Sequence, residues 1–221
     1  MQGYCAPPDT IINEHVWSYE EKRGFFNCTD NDLSHHASPV LPFLKAMAVQ
    51  YPDYNFCGVV HASPCQQAFH ILSEGRHRDC LINQINSVKD KGTFGGVLLM
   101  YGIIEGQFKP SVDLLEPEIN KLVAFIRLQV NDNNLPIILG RYEENGNAIE
   151  LKDWFKYKKN LMCIINSMPN KINRLVLTPY QPVAANEYCD NHHYSTEGYR
   201  IWSEDAVKII KENNLDSWNL K

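Results

Sequence analysis

The sequence predicts an α/β fold in which a mostly parallel β-sheet lies between two layers of helices. Short apolar runs bounded by turn residues, such as residues 96–101, are typical of strands that are covered on both faces. Amphipathic segments with helical spacing separate these runs. Strand and helix alternate four times before a final helix, which predicts parallel strands joined by crossover helices in a doubly wound sheet.

Residues 1–37 predict an irregular amino-terminal arm with little regular structure. The segment is rich in Pro, Asn, Asp and His and carries isolated aromatic residues, namely Trp17, Tyr19, Phe25 and Phe26. Aromatic rings in such an arm more often fasten it to its own domain or to a partner than stack on a sugar. The charged run that follows Tyr19, residues 20–23, is interpreted as solvated.

Residues 38–221 predict the α/β domain itself. Helices are predicted over residues 39–49, 77–88, 119–130, 154–165 and 199–210, and strands over residues 55–61, 96–101, 136–140 and 174–178. Because the carboxyl ends of parallel strands meet at one edge of a sheet, the loops after His61, Tyr101, Leu139 and Thr178 are expected to form a single rim. Sites in doubly wound folds lie at that edge.

The bulk composition excludes several function classes. The chain has 221 residues and a formal net charge of −5, with 44% hydrophobic and 21% charged residues, which is ordinary for a globular protein. No run of Lys and Arg exceeds a pair, so a nucleic-acid footprint or a polybasic membrane patch is not indicated. The longest apolar run, residues 95–104, is far short of a bilayer span.

The seven cysteines are scattered and include no C-x-x-C pair, so neither a disulfide framework nor a zinc finger is indicated. Reduced, partly buried thiols in a reducing intracellular compartment are the expectation. Residues 1–8 show no basic or apolar signal region, and no secretory signal is predicted. No cofactor is predicted.

The most distinctive stretch is the polar block at residues 189–200, which precedes the closing helix. Asp190 lies three residues before His193, a spacing that suits an acid–base pair in which the carboxylate orients the imidazole. The imidazole can then take a proton from a nucleophile. Asp190 and His193 are therefore candidate catalytic residues, on the condition that a nucleophile is present.

Four blocks of residues, taken in their order along the chain, resemble the SGNH (or GDSL) hydrolase superfamily. Within it they resemble the carbohydrate esterases of the sialate O-acetylesterase and plant acetylesterase type. Residues 38–43 resemble the helix start after the family's first block, and residues 61–65 fall at its Ala-(Ser)-Gly-Gly block. Residues 96–105 fall on its Gly-Val-Leu-Trp-Tyr-Gln-Gly-Glu-Ser-Asp block. Residues 190–199 match its closing Asp-x-x-His-Leu/Tyr-Ser/Thr-x-Glu-Gly block.

The resemblance implies a flavodoxin-like three-layer sheet and hydrolysis of acetyl esters on sugars. In the family a serine in a Gly-Gln-Ser-Asn block attacks the carbonyl, with His193 as the corresponding general base and Asp190 holding its tautomer. Ser63 and Gly102 fall in the blocks that correspond to the oxyanion region.

The sequence departs from the family pattern in three blocks. The Gly-Gln-Ser-Asn block is absent, and residues 1–3 look like the residues that normally follow it, so the first strand of the fold is expected to be missing. Pro64-Cys65 replaces the two glycines, and proline has no N–H to donate. Tyr101-Gly102-Ile103 replaces Gln-Gly-Glu. Loss of an oxyanion donor costs about 10² to 10³ in turnover, and loss of the nucleophile costs about 10⁶.

Several alternatives remain open at these positions. Asp190 and His193 either act in catalysis or form an inherited hydrogen bond that caps the last helix. Cys65 is either a relocated nucleophile that pairs with His193 or a small thiol in place of glycine. Ser63 is likewise either a nucleophile or a structural residue. Cys189, Asp190 and the adjacent imidazoles make a poor metal site because neighbouring residues rarely converge on one ion, so no metal is predicted.

Two functions follow from this sequence. The first, favoured by the departures, is a catalytically degenerate esterase fold kept as a binding or structural subunit, with a protein partner or larger assembly at the arm and the open sheet position. The alternative is a carbohydrate O-acetylesterase that uses Asp190 and His193 with a nucleophile outside this chain. An acetylated carbohydrate is the expected ligand class in both cases.

Overall fold

The structure, a computed structural model, describes residues 11–20, 23–29, 39–61, 68–101, 105–107, 109–141, 156–178 and 196–216. These residues belong to two compact units. The first lies within Met1–Val60 and Gln181–Lys211, and the second within His61–Tyr180 and Glu212–Lys221.

The described elements alternate between strands and helices along most of the chain. The strands are β1 (Val16–Glu20), β2 (Gly24–Asn27), β3 (Phe56–Cys57), β4 (Val97–Leu99), β5 (Ile137–Leu139) and β6 (Leu175–Leu177). The α-helices are α1 (Val40–Gln50), α2 (Ala68–Leu72), α3 (Arg76–Val88), α4 (Lys109–Val130), α5 (Lys158–Ser167) and α6 (Thr196–Glu212). Short 3₁₀ helices span Glu105–Gln107 and Met168–Asn170.

The first unit is built on a three-stranded sheet in the order β2-β1-β3. Strand β1 pairs antiparallel with β2, with Trp17 opposite Asn27, and parallel with β3, with Val16 opposite Phe56. Alternation along β1 buries Val16 completely and Ser18 almost completely. Helix α1 covers this sheet, and the shared core consists of Val16, Cys28, Leu41, Leu44 and Ala48.

Helix α6 also belongs to the first unit, up to Lys211. Tyr199 and Trp202 are each about 1% exposed, so its first turns present a large apolar face to the interior. The buried hydroxyl of Ser203 donates to the backbone oxygens of Tyr199 and Pro39, at 2.7 and 3.2 Å. The second of these bonds ties α6 to the start of α1.

The second unit contains the parallel sheet β4-β5-β6. Val97, Ile137 and Leu175 are in register, as are Leu99, Leu139 and Leu177. Helix α4 packs against α2 and α5 and buries one apolar stripe at helical spacing, which consists of Val112, Leu115, Ile119, Leu122, Val123 and Ile126. None of the described helices combines the length and the apolar character needed to cross a membrane.

The predicted α/β class with mostly parallel strands is confirmed. Three of the four strand pairs among the described residues are parallel, and each predicted strand and helix of residues 38–221 has a counterpart. The strands are shorter than predicted, and α4 begins at Lys109, ten residues before the predicted stripe. The described strands form two three-stranded sheets.

The expectation of little regular structure before residue 38 was wrong for part of that segment, because β1 and β2 lie there. The predicted solvated run at residues 20–23 joins these two strands, with the end of β1 at Glu20 and a positive φ of 71° at Gly24. Phe26 packs on the core of the first unit, and the Arg23 guanidinium lies 3.6 Å from the centre of its ring. The division into an arm of residues 1–37 and a domain of residues 38–221 stays a prediction.

Candidate functional site

The candidate site residues named from the sequence lie outside the residues that the structure describes. This holds for Asp190, His193, Cys65, Ser63 and Gly102. Their catalytic or oxyanion roles therefore remain predictions. The described residues that follow the same strands nevertheless define the surroundings of the predicted rim.

The carboxyl ends of the three strands of the second unit lie level with one another. The N–H of Gly140 donates to the oxygen of Leu99 at 2.9 Å, and the N–H of Thr178 donates to the oxygen of Leu139 at 3.1 Å. The chain therefore leaves β4, β5 and β6 at one edge of the sheet. The strand ends at Leu99, Leu139 and Leu177 thus share one edge, while the loops beyond them, with Asp190 and His193, lie largely outside the described residues, so their common rim stays a prediction.

Arg141 closes the part of this rim between β5 and β6. Its backbone N–H donates to Oγ1 of Thr178 at 2.9 Å, and its Nε donates to the backbone oxygen of the same threonine. Thr178 is fully buried, and its hydroxyl satisfies the second N–H beyond β5, that of Arg141, away from water. The guanidinium and threonine hold the two strand ends together.

Gly140 lets the ends of β4 and β5 approach closely. A Cβ atom at this position would lie 3.2 Å from Cγ of Met100 and 3.7 Å from the oxygen of Leu99. A side chain here would therefore push against the strand that leads to Tyr101. The close approach keeps the rim narrow beside Tyr101.

Tyr101 corresponds in sequence to a glutamine in the SGNH hydrolases that the chain resembles. The side chain is half-buried, and its pKa is raised well above the ordinary value, first by burial and then by the charges of Glu105 and Glu118. The phenol therefore stays protonated near neutral pH, where it can donate a hydrogen bond but cannot serve as a base.

Two carboxyl groups lie near this phenol. Glu118 belongs to the amino-terminal half of α4, and Glu105 belongs to the 3₁₀ helix before α4. Glu105 is 1% exposed. The pKa of Glu118 is raised, first by burial and next by Glu105, while Lys121 acts in the opposite direction. This pair makes the β4 end of the rim acidic, which is unfavourable for a developing oxyanion.

A cluster of three imidazoles, those of His61, His70 and His77, lies at the start of the second unit. Nδ1 of His61 lies 3.1 Å from Oε1 of Gln84 on α3, so the neutral ring carries its proton on Nδ1. The ring centroids of His61 and His77 are 6.3 Å apart, and those of His70 and His77 are 6.1 Å apart. Burial lowers the pKa of His61, the bond to Gln84 raises it, and His77 lowers it.

The sequence carried one signal for this cluster. His61 immediately precedes the Ala-Ser-Pro-Cys stretch that stands in the family's glycine block. His77 reaches His61 from α3, and His70 on α2 meets His77 across the turn at Gly75, whose φ is 135°. Such a contact depends on the helix–turn–helix geometry, and spacing alone does not predict it.

The described thiols and carboxylates provide no metal site. Within the part of the chain that the structure describes, no three side chains among His, Cys, Asp and Glu lie close enough to hold a metal ion. Desolvation raises the pKa of Cys57 on β3 to about 11, although the residue is exposed at the surface, so its thiol stays protonated at neutral pH. The sulfur of Cys28 is buried in the core of the first unit.

Comparison with known proteins shows the fold. No family model and no curated protein matches the chain. Among solved structures, a protein from Arabidopsis thaliana superposes with a TM-score of 0.76 at 14% identity, over 92% of this chain and 83% of the other. The protein NanS superposes with a TM-score of 0.58 at 12% identity, over 93% and 90% of the two chains.

A carbohydrate acetylesterase from Xanthomonas citri has the same fold over part of its length. Its TM-score is 0.53 at 12% identity, over 88% of this chain and 48% of that protein. Together these similarities support the predicted doubly wound α/β fold. At such identities they concern the fold alone.

Proposed function

We propose that this chain is a catalytically degenerate protein of the carbohydrate-esterase fold that acts as a binding or structural subunit. The observation that carries the proposal is Tyr101. It takes the position of a glutamine in the resembled family and is held neutral beside Glu105 and Glu118. Carboxyl groups at that point would oppose the negative charge that an ester's carbonyl oxygen acquires during hydrolysis.

The closed rim between β5 and β6 supports the same proposal. Both the backbone N–H and the Nε of Arg141 are committed to Thr178, so neither donor is available to a substrate oxygen. Among the donors that the described rim can offer to a ligand is the protonated hydroxyl of Tyr101. A neutral hydroxyl donor suits recognition of an acetyl or sugar oxygen.

The amino-terminal segment supports a protein partner. Ile11, Ile12 and Phe25 are 74%, 63% and 45% exposed, although each is a large apolar side chain. They lie in or just before the β1–β2 hairpin of the first unit, where Phe25 contacts the ring of Tyr19 and Phe26 packs on the core. Exposed apolar groups on one small element are typical of a surface that a partner covers.

A second candidate, a carbohydrate O-acetylesterase, is favoured by the similarity to the Xanthomonas citri acetylesterase. In this case Asp190 and His193 serve the roles that the resemblance implies, with a nucleophile outside this chain. The ligand class, an acetylated carbohydrate, is the same. The two candidates differ in whether the acetyl group is released.

An assay of p-nitrophenyl acetate hydrolysis, together with fluorophosphonate labelling, separates the two candidates when it is run both on this chain and on the protein isolated from its source, because the second candidate takes its nucleophile from outside this chain. The degenerate protein should hydrolyse no faster than its His193→Ala variant and should take up no label. His192→Ala is the matched control because it removes the neighbouring imidazole and leaves the Asp190–His193 spacing intact. Stoichiometric labelling of a serine that disappears only in His193→Ala would establish the esterase instead.

Binding is tested separately with an acetylated oligosaccharide and its deacetylated form. Tyr101→Phe removes the hydroxyl donor and keeps the ring, so we expect it to weaken binding of the acetylated form about tenfold. An equal affinity of the wild-type protein and Tyr101→Phe would contradict the role given to this phenol.

A further inference from the structure

A cavity of about 310 Å³ lies on the second unit at the amino-terminal ends of β5 and β6. Its walls come from the later turns of α4, from the turn before β5 and from the segment before β6. It is therefore at the edge of the sheet opposite to the rim described above. Its volume is at the small end of the range for ligand pockets, which is about 300 to 1,000 Å³.

Arg127 forms part of the wall and is 8% exposed. Its Nε and Nη2 donate to the backbone oxygen of Leu135, at 3.1 and 2.8 Å, and Nη2 also donates to the oxygen of Asn173 at 2.6 Å. A guanidinium has five N–H donors, two of them on Nη1. Among the described residues no hydrogen bond is made by Nη1, so its two N–H groups are available to a ligand in the cavity.

The rest of the lining offers further donors and carries no acidic residue. Asn120, Asn133 and Asn173 contribute side-chain amides, and Lys171 contributes an ammonium group. The charge of Lys171 is balanced by Glu116, whose Oε2 lies 2.5 Å from its Nζ. Burial lowers the pKa of Arg127, the carboxylate of Asp132, which is not part of the lining, raises it, and Arg174 lowers it. Within the lining itself the charged residues are Arg127 and Lys171, both of them basic.

We propose that this cavity binds a small anion through a carboxylate or phosphate group, which pairs with Nη1 of Arg127 and the surrounding amides. Charge-assisted bonds from a guanidinium to such groups are among the strongest hydrogen bonds in proteins. Burial strengthens them further because water screens them less. This inference does not rest on the proposed function.

The test is calorimetric titration of the whole protein with inorganic phosphate, with glucuronate and with glucose at low salt. We expect saturable millimolar binding of at least one of the two anions, an affinity that falls as salt is raised, and no binding of glucose. Binding of phosphate alone or of glucuronate alone identifies which group the cavity selects. Absence of binding by both anions, or equal binding of glucose, would overturn the proposal.

Ala124 provides a variant pair that spares the hydrogen bonds of Arg127. This alanine lines the cavity from the exposed side of α4, where glutamate and glutamine are both good helix formers. Ala124→Glu places a negative charge in the lining and should weaken anion binding at least tenfold. Ala124→Gln has the same size and should weaken it less than threefold. Equal effects of the two variants, with equal melting temperatures, would contradict an anion site.

Discussion

Nη2 of Arg127 lies 2.6 Å from the backbone oxygen of Asn173, and the two residues are 46 positions apart in the sequence. The same guanidinium holds the oxygen of Leu135. One side chain on α4 thus fastens the segment that leads into β5 to the segment that leads into β6. A buried cation in this place satisfies carbonyl groups that no described strand reaches.

Arg127→Ala should lower the free energy of unfolding by about 2 to 4 kcal/mol, because it leaves two carbonyl groups without their charged donor. Urea denaturation measures the change. Lys171→Ala is the matched control, since it removes a cation from the same cavity whose ion pair with Glu116 is exposed to solvent. It should cost about 1 kcal/mol or less. Similar losses in the two variants would argue against the role of Arg127.

Ser203→Ala should lower the free energy of unfolding by about 0.5 to 1.5 kcal/mol. The hydroxyl is buried and links α6 to the oxygen of Pro39, which is 164 positions earlier in the chain. Ser167→Ala is the control, because the hydroxyl of Ser167 bonds only to Ile164 within its own helix among the described contacts. Thermal and urea melts of the two variants should differ, and equal melting curves would contradict the link.

Gly58→Ala should destabilise the first unit by about 1 to 3 kcal/mol through overpacking. A Cβ atom at Gly58 would lie 2.9 Å from Cγ1 of Val40 and 3.0 Å from Cδ1 of Leu44, so α1 would have to move off the sheet. At Gly92 an added Cβ meets nothing within 4 Å, and Gly92→Ala should be neutral. Urea midpoints compare the two, and a tolerated Gly58→Ala would show that α1 is loosely packed.

The free energy of unfolding should fall as the pH rises above about 9. The folded-state pKa values of Cys57 and Tyr101 are both raised, so each group stabilises the fold below its unfolded pKa and loses this contribution at higher pH. Tyr101→Phe should flatten the decline above about pH 10 by at most about 1.4 kcal/mol per pH unit. Cys57→Ala should flatten the decline of the free energy of unfolding from a lower pH, about pH 9.

Urea midpoints between pH 8 and 11 give these slopes. After correction for packing changes, the urea midpoints of the wild-type protein, the two single variants and the double variant should be equal at pH 8. Parallel curves for the wild-type protein and Tyr101→Phe would contradict the buried phenol.

The imidazole of His61 should titrate below its ordinary pKa in a two-dimensional NMR experiment. Its folded-state pKa is lowered by burial, so the stability it contributes is present above the unfolded value near 6.5 and is lost as the pH falls. His61→Asn should reduce the loss of stability between pH 6.5 and 5. A normal pKa for His61 would contradict the burial of its ring against His77.

The closing helix and the β4 to β6 strands followed from the sequence because their signals are local. An apolar run such as residues 136–140 is buried wherever it lies in the sheet, so no knowledge of its neighbours is needed. The amphipathic stripe of α4 is just as clear, although its start was missed because residues 109–118 carry two prolines, Pro110 and Pro117. Proline is tolerated in the first turn, where no N–H is required.

The sequence did not predict the hairpin of β1 and β2 because a charged run interrupts the alternating pattern that is typical of strands. Trp17 and Tyr19 alternate with Val16 and Ser18 as a strand requires, but the charged run after them was interpreted as a solvated face. In the structure Glu20 pairs with Gly24, and β2 supplies the pairing that stabilises β1. The Arg127 cavity was missed for a related reason, since its donors come together only when α4, β5 and β6 pack.

The position of β1 has a consequence for dissection of the chain. As the middle strand of its sheet, β1 accepts hydrogen bonds from the N–H groups of Phe56 and Gly58 at the oxygens of His15 and Trp17, 2.8 and 3.3 Å away. A chain that begins at residue 38 would leave those donors exposed and Leu41 and Leu44 without their cover. Such a fragment should aggregate or adopt a foreign strand, so the amino-terminal segment is a folding requirement and not a removable appendage.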